Sequence, residues 1–238
     1  MPVSLENTSV LVIGASSGMG RETVLQFARE GARVTAVARR LDRLQELRNE
    51  LAAEGRTIAI AEADAAEPAA MERVAAQAGA VDILVYATGT NIPDRALSRL
   101  TPELWDMMIG VNLNGAYYAT RAVLPGMRER RAGLIFYVSS KSAVLPDESG
   151  AAYQAAKRGL AGLAQAVRLE EKDNGIRTCV VCPGLTDTDL ILQRPVKTPA
   201  ETIAKAMQAS DVAELIVSIS RLPARTWVPE VHLFPSAL

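Results

Sequence analysis

The sequence predicts an α/β fold, a doubly wound parallel sheet of about seven strands with helices on both faces. Three observations predict it. Short apolar runs alternate with helix-length segments from one end of the chain to the other. Strands separated by helices of ten or more residues pair in parallel through right-handed crossovers. No linker-like or low-complexity stretch interrupts the alternation, so residues 1–238 are expected to form one Rossmann-like domain.

Residues 10–13 are wholly apolar and stop at Gly14, as a strand buried on both faces would. Residues 18–30 read as a helix, with Val24, Leu25, Phe27 and Ala28 on one face and Gly31 as its stop. A strand at 34–38 leads into a charged helix from Leu41 to about Glu54, closed by Gly55. A third strand at 57–61 precedes a helix at 68–78 that has Pro68 in its first turn. Residues 82–86 make the fourth strand. Thr101 and Pro102, an N-cap and a first-turn proline, open a long helix toward Met127. The second half repeats the pattern: a strand at 134–138, a helix at 150–173 closed by Asn174-Gly175, and a strand at 176–181 that runs to Pro183-Gly184. Residues 189–199 contain two prolines and no periodicity; a helix around 211–220 and a strand at 230–234 follow.

The charge balance of 26 basic and 27 acidic residues leaves a net charge of −1, which disfavours a nucleic-acid partner. One histidine and two cysteines cannot furnish a four-ligand zinc site of the usual nitrogen and sulfur kind, and no metal is expected. So few cysteines also argue against a disulfide-stapled secreted module. Met1 to Thr8 does not read as a signal peptide, and no apolar run approaches the roughly 18–20 residues of a membrane span. A cytoplasmic protein without a membrane partner is expected.

Gly14-Ala15-Ser16-Ser17-Gly18-Met19-Gly20 stands where the first strand gives way to the first helix. Glycines let the backbone turn sharply and approach a pyrophosphate, while the helix N-terminus supplies free N–H groups. The spacing differs from the commoner G-x-G-x-x-G, but the placement points to dinucleotide binding. An acidic residue at the end of the second strand would hold the ribose of NAD. Here that place reads Ala38-Arg39-Arg40, so NADP is expected, with guanidinium contacts to its 2′-phosphate. Arg39 is the expected principal contact, because Arg40 stands where the chain turns into its helix.

Tyr137/Lys141 and Tyr153/Lys157 both fit Y-x-x-x-K. The first pair begins in a strand, where four residues span about 13 Å and the side chains part. The second lies in a helix, where i and i+4 share a face. An adjacent ammonium is expected to lower a phenol's pKa and make it a usable general acid/base. Ser140 precedes this pair at the C-terminal end of a strand, the edge of a parallel sheet where ligands bind.

Taken together, these residues make the chain resemble the short-chain dehydrogenase/reductase family over essentially its whole length. The resemblance rests on the Gly14/Gly18/Gly20 turn, Asp64-Ala65, Asn112 in Val-Asn-Leu-Asn-Gly, Ser140, Tyr153/Lys157, and Pro183-Gly184 with Thr188. It implies hydride transfer between NADP(H) and a small alcohol or carbonyl compound, with Tyr153, Lys157, Ser140 and Asn112 as the catalytic set. Tyr153 would exchange a proton with the substrate oxygen, Ser140 would hydrogen-bond it, Lys157 would hold the nicotinamide ribose, and Asn112 would position a water. The implied cofactor site comprises Gly14, Ser16, Ser17, Gly18, Met19 and Gly20, then Arg39, Arg40, Asp64, Ala65, Ala87 and Gly89. Tyr153, Lys157, Pro183, Gly184, Thr186 and Thr188 complete it.

Two departures concern the sheet and adenosine side: Ile13 replaces the family's usual threonine, and Tyr86-Ala87-Thr88-Gly89 replaces Asn-Asn-Ala-Gly. The C-terminus also lacks the glycine-rich ending common among the family's acyl-carrier reductases. A cofactor-binding sensor or scaffold of the same fold is the alternative from another class. Residues 141–152 and 189–199 should line the substrate pocket, with Leu145, Leu190, Ile191 and Leu192 in apolar contact. Lys141, Arg194 and Lys197 are the cations available to an anion there. Cys179 and Cys182 sit three apart on a strand and should face opposite sides. His232 has no partner carboxylate evident nearby and reads as structural. The two long helices, near 102–127 and 151–173, carry more apolar surface than one sheet face needs. With the resemblance, they imply a homotetramer, or alternatively a dimer.

Overall fold

A computed structural model describes residues 2–238. Seven strands form one sheet: β1 (Ser9–Ile13), β2 (Arg33–Ala38), β3 (Ala59–Glu62), β4 (Ile83–Tyr86), β5 (Gly133–Val138), β6 (Ile176–Pro183) and, last in the chain, β9 (Glu230–Leu233). All neighbours pair in parallel, in the order β3-β2-β1-β4-β5-β6-β9. The strand order reverses between β1 and β4, the crevice where doubly wound sheets bind ligands. The third strand begins two residues later than its apolar run predicts. A minor parallel pair, β7 (Thr186–Asp187) with β8 (Met207–Gln208), was not legible in the sequence.

Helices α1 (Gly18–Arg29), α2 (Leu41–Ala53) and α8 (Ala209–Ser220) cover one face of the sheet. Val24 and Phe27 of α1, Leu44 and Leu47 of α2, and Ile216 of α8 are buried there against Val10, Val12 and Val85. Helices α3 (Pro68–Ala78), α5 (Gly115–Arg130) and α6 (Ala151–Glu171) cover the other face, burying Met71, Val123 and Leu160 against Leu11, Leu84 and Ile135. The central strands are therefore apolar on both sides, which is why they read as continuous runs. Cys179 enters one core and Cys182 the other, as the strand period requires. No helix among the described residues is long and apolar enough to cross a membrane.

The long helix expected from Thr101 is two helices. Thr101 caps α4 (Pro102–Ile109) by accepting from the Leu104 N–H at 3.3 Å. A π-turn at Gly110–Asn114 then separates α4 from α5. Insertions of this kind recur at functional sites, and this one carries Asn112. Between β7 and α8 the chain makes a 3₁₀ turn at Asp189–Gln193, an irregular stretch, and the short α7 (Ala200–Ile203). His232 does have a carboxylate partner: Glu230, two residues earlier on the same strand face, meets its Nε2. Cys182, Glu230 and His232 bring three metal-competent atoms within 4.8 Å of one another. Burial and Glu230 push the Cys182 thiol up to about 11, away from the thiolate that binds metals.

Candidate active site

Two adjoining clefts open at the C-terminal edge of the sheet. The larger encloses about 360 Å³ and runs from the Ser16–Ser17 turn and Arg39/Arg40, past Asp64 and Gly89, to Lys157. The smaller, about 100 Å³, lies between Ser140, Gly184 and Arg194. Tyr153 lines both.

The glycine turn is closed too tightly for side chains. Gly14 has φ +94°, and a Cβ there would lie 2.7 Å from the Thr88 nitrogen; one on Gly20 would lie 2.2 Å from the Gly14 oxygen. Gly20 thus packs beneath the turn, against the Gly14 carbonyl. Ser17 is the N-cap of α1, yet its hydroxyl does not cap the helix. It accepts instead from Arg40 Nη2 at 2.7 Å, while the Ser16 hydroxyl accepts from the same nitrogen at 3.0 Å. The helix N-terminus therefore keeps N–H groups available for an anion, which fits a pyrophosphate.

Ala38 places no carboxylate beside this turn. Arg39 reaches toward Asp64, at 3.7 Å, and remains largely exposed. Asp64 also accepts the Ala66 N–H at 2.9 Å, holding the loop after β3 in a local turn. Arg40, expected to be the less certain partner, is the arginine seated on the phosphate turn.

Tyr153 and Lys157 stand one turn apart in α6, and both are buried. The Lys157 ammonium donates to the Val138 carbonyl at 3.0 Å and lies 5.6 Å from the Tyr153 ring centroid. Burial pulls the Lys157 pKa down to about 8. Burial also pushes Tyr153 up to about 12, with the Ser140 hydroxyl as the first opposing influence. The lowering expected from Lys157 does not show: the influences that oppose burial come from Ser140 and Arg95. A Cβ on Gly89 would sit 3.2 Å from Lys157 Nζ and 3.4 Å from Asn112 Oδ1, so these two polar groups converge on the space beside Gly89. Asn112 accepts the Thr90 N–H at 3.1 Å and donates to the Thr90 and Met108 carbonyls at 3.0 and 2.9 Å.

Ser140 donates to the Ser142 hydroxyl at 3.1 Å, and Ser142 donates to Asp147 at 2.7 Å. Asp147 also accepts the Ser149 N–H at 3.0 Å, and these hydrogen bonds hold its carboxyl below the usual range against the opposing effect of burial. Ser142, Asp147 and Ser149 lie in the 141–152 segment expected to line the pocket, but sequence reasoning did not single them out; the Asp-x-Ser pattern just before a helix start was the available signal. Sequence reasoning missed Arg95, which lines the small cleft.

Pro183, Gly184, Thr186 and Thr188 all border the small cleft, and Thr188 lies over Gly18 at the junction of the two clefts. Leu190 and Ile191 line it as expected, but Leu145 and Leu192 point to solvent. The other tyrosine candidate is excluded by its place. Tyr137 is buried in the core, where its hydroxyl meets Thr120 Oγ1 at 2.8 Å, and burial raises its pKa well above the usual value.

A family model described as short chain dehydrogenase matches residues 8–197. The chain belongs to the short-chain dehydrogenase family. It is similar to the NADP-dependent 3-hydroxy acid dehydrogenase YdfG of Escherichia coli strain K12, with 33% identity over 95% of this chain and 94% of that one. Among solved structures, the closed form of serine dehydrogenase complexed with NADP+ has 32% identity and a TM-score of 0.86, covering 94% of this chain and 93% of that one. An alcohol dehydrogenase from the archaeon Thermococcus sibiricus, complexed with 5-hydroxy-NADP, has 25% identity and a TM-score of 0.86 over 97% of each chain. The TM-scores show that these two enzymes share the fold found here.

Proposed function

We propose that this protein is an NADP(H)-dependent oxidoreductase that interconverts a small alcohol and its carbonyl compound, with Tyr153 as general acid/base. The observation that carries this reading is the position of Tyr153, buried where the two clefts meet, one helical turn from the buried Lys157. Bound in the larger cleft, the nicotinamide would supply hydride exchange at its C4. The protein's own residues supply binding, orientation and proton transfer. Ser140 hydrogen-bonds the substrate oxygen, and Tyr153 gives that oxygen a proton in reduction or takes one in oxidation. Lys157 holds the nicotinamide ribose and lends positive charge to a developing phenolate. Asn112, fixed between Thr90 and Met108, is oriented toward the same point and holds the water beside Lys157. Such acid/base groups contribute roughly 10²–10⁴-fold to rate.

The glycine turn, with Ser16, Ser17 and Met19, takes the pyrophosphate, and Arg40 and Arg39 take the 2′-phosphate. Asp64 and Ala65 meet the adenine, Ala87 and Gly89 border the adjoining ribose, and Pro183, Gly184, Thr186 and Thr188 flank the nicotinamide. The NADP named in the descriptions of the relatives supports that cofactor over NAD. The same reading makes the protein a single-domain cytoplasmic homotetramer. It is tested by following reduced nicotinamide on mixing the purified protein with each cofactor and a panel of small hydroxy compounds. No turnover with any of them would favour a cofactor-binding scaffold instead.

A further inference from the structure

We propose that the small cleft selects an acidic substrate, whose carboxylate is held by Arg95 and Arg194 beside Tyr153. This deepens the oxidoreductase reading and rests on it. The two arginines come from different segments, Arg95 from the loop after β4 and Arg194 from the end of the 3₁₀ turn after β7, and both line the cleft that Tyr153 also lines. Arg95 is built in. Its Nε donates to the Ile92 carbonyl at 3.0 Å and its Nη2 to the Gln193 carbonyl, which ties the β4 loop to the segment carrying Arg194. Gly150, at φ +89°, lets α6 start against it, since a Cβ there would stand 2.8 Å from Arg95 Cβ.

Among the described residues, neither guanidinium has a carboxylate within ion-pair distance. Burial and the like charge of Arg194 both disfavour the charged form of Arg95, yet a guanidinium does not lose its proton at ordinary pH. An anion between the two would relieve that repulsion and use the remaining N–H groups of the Arg95 fork. Asp147 attracts Arg95 from a distance, but its oxygens are engaged by Ser142 and Ser149, and Lys141 faces it. The cleft volume of about 100 Å³ lies far below the roughly 300–1,000 Å³ of sites for drug-sized ligands, so the acid is small.

The test compares 3-hydroxypropionate with its uncharged methyl ester. With wild-type protein and NADP+, kcat/KM for the acid should exceed that for the ester by about 10–100-fold. Arg194→Gln, at an exposed position, should lower that ratio about tenfold through KM, and Arg95→Met should lower it further. A second readout avoids turnover: 3-hydroxypropionate should bind the Tyr153→Phe protein in the presence of NADP+, and Arg194→Gln should weaken that binding about tenfold. A wild-type enzyme that uses the ester as well as the acid would overturn the inference while leaving the oxidoreductase reading intact. Acid binding that is indifferent to both arginines would also overturn it. Arginine-dependent binding without any turnover would uphold the carboxylate site and count against the oxidoreductase reading.

Discussion

Arg40 donates to the Ser17 hydroxyl at 2.7 Å, drawing the N-cap side chain of α1 away from its own helix. This places a guanidinium beside the turn, where the 2′-phosphate that distinguishes NADP from NAD would lie. A charged hydrogen bond contributes roughly 1.5–3 kcal/mol. Arg40→Ala should therefore lower kcat/KM for NADP(H) by about 10–100-fold and leave NAD(H) nearly unchanged. Arg39→Ala should cost less, because Arg39 is exposed and only loosely paired with Asp64. Ala38→Asp should push preference toward NAD(H). Steady-state kinetics with both cofactors checks the ranking, and a larger loss for Arg39→Ala would reverse it.

Tyr86 reaches from β4 to the π-turn, where its hydroxyl donates to the Val111 carbonyl at 2.5 Å. Gly115 leaves room for it, since a Cβ there would lie 2.2 Å from the Tyr86 oxygen. Tyr86→Phe should lower stability by about 0.5–1.5 kcal/mol. For a chain of this size, each kcal/mol moves Tm by roughly 2–4 °C. Calorimetry on the variant reads this; an unchanged Tm would mean that the hydroxyl holds nothing.

The buried Lys157 makes stability depend on pH. Its folded pKa of about 8 lies below the usual 10.5, so the unfolded chain binds the extra proton between those values. The cost of burying the charge is fully present below pH 8 and fades as pH rises toward 10.5. Lys157→Met should then be more stable than wild type at neutral pH, with a gain that shrinks across that window while activity is lost. Denaturation at neutral and alkaline pH checks it, and a gain that grows with pH would contradict the burial argument.

Tyr117 of α5 and Leu169 of α6 are exposed apolar side chains on the two long helices. A homotetramer that covers such faces should give four times the chain mass by light scattering, and Leu169→Glu should shift the population toward smaller species. A monomer at micromolar concentration would contradict the assembly.

The sheet was legible because its central strands are buried on both faces and read as unbroken apolar runs. Tyr153 and Lys157 were legible because helical spacing puts i and i+4 on one face. The π-turn was not, although Gly110, Asn112, Asn114 and Gly115 are poor helix formers inside the expected long helix. Its i→i+5 step depends on packing against β4, and Tyr86, which looked like a departure from the family, is the residue that meets it. Arg95 and Asp147 lie on loops, where no periodicity marks a functional side chain. Only the closing of the β4 loop onto the segment after β7 brings Arg95 beside Tyr153. The relative weight of Arg39 and Arg40 was equally invisible, since both follow Ala38 and only the start of α2 decides which one turns back to the glycine turn.

The most direct test of the account is kcat for Tyr153→Phe, measured with NADP(H) and a small hydroxy acid or its oxo counterpart. The account predicts a loss of more than about 10²-fold with cofactor binding retained, while Tyr137→Phe, whose hydroxyl lies in the core against Thr120, keeps the proton-transfer step. Turnover by Tyr153→Phe near the wild-type rate would contradict it.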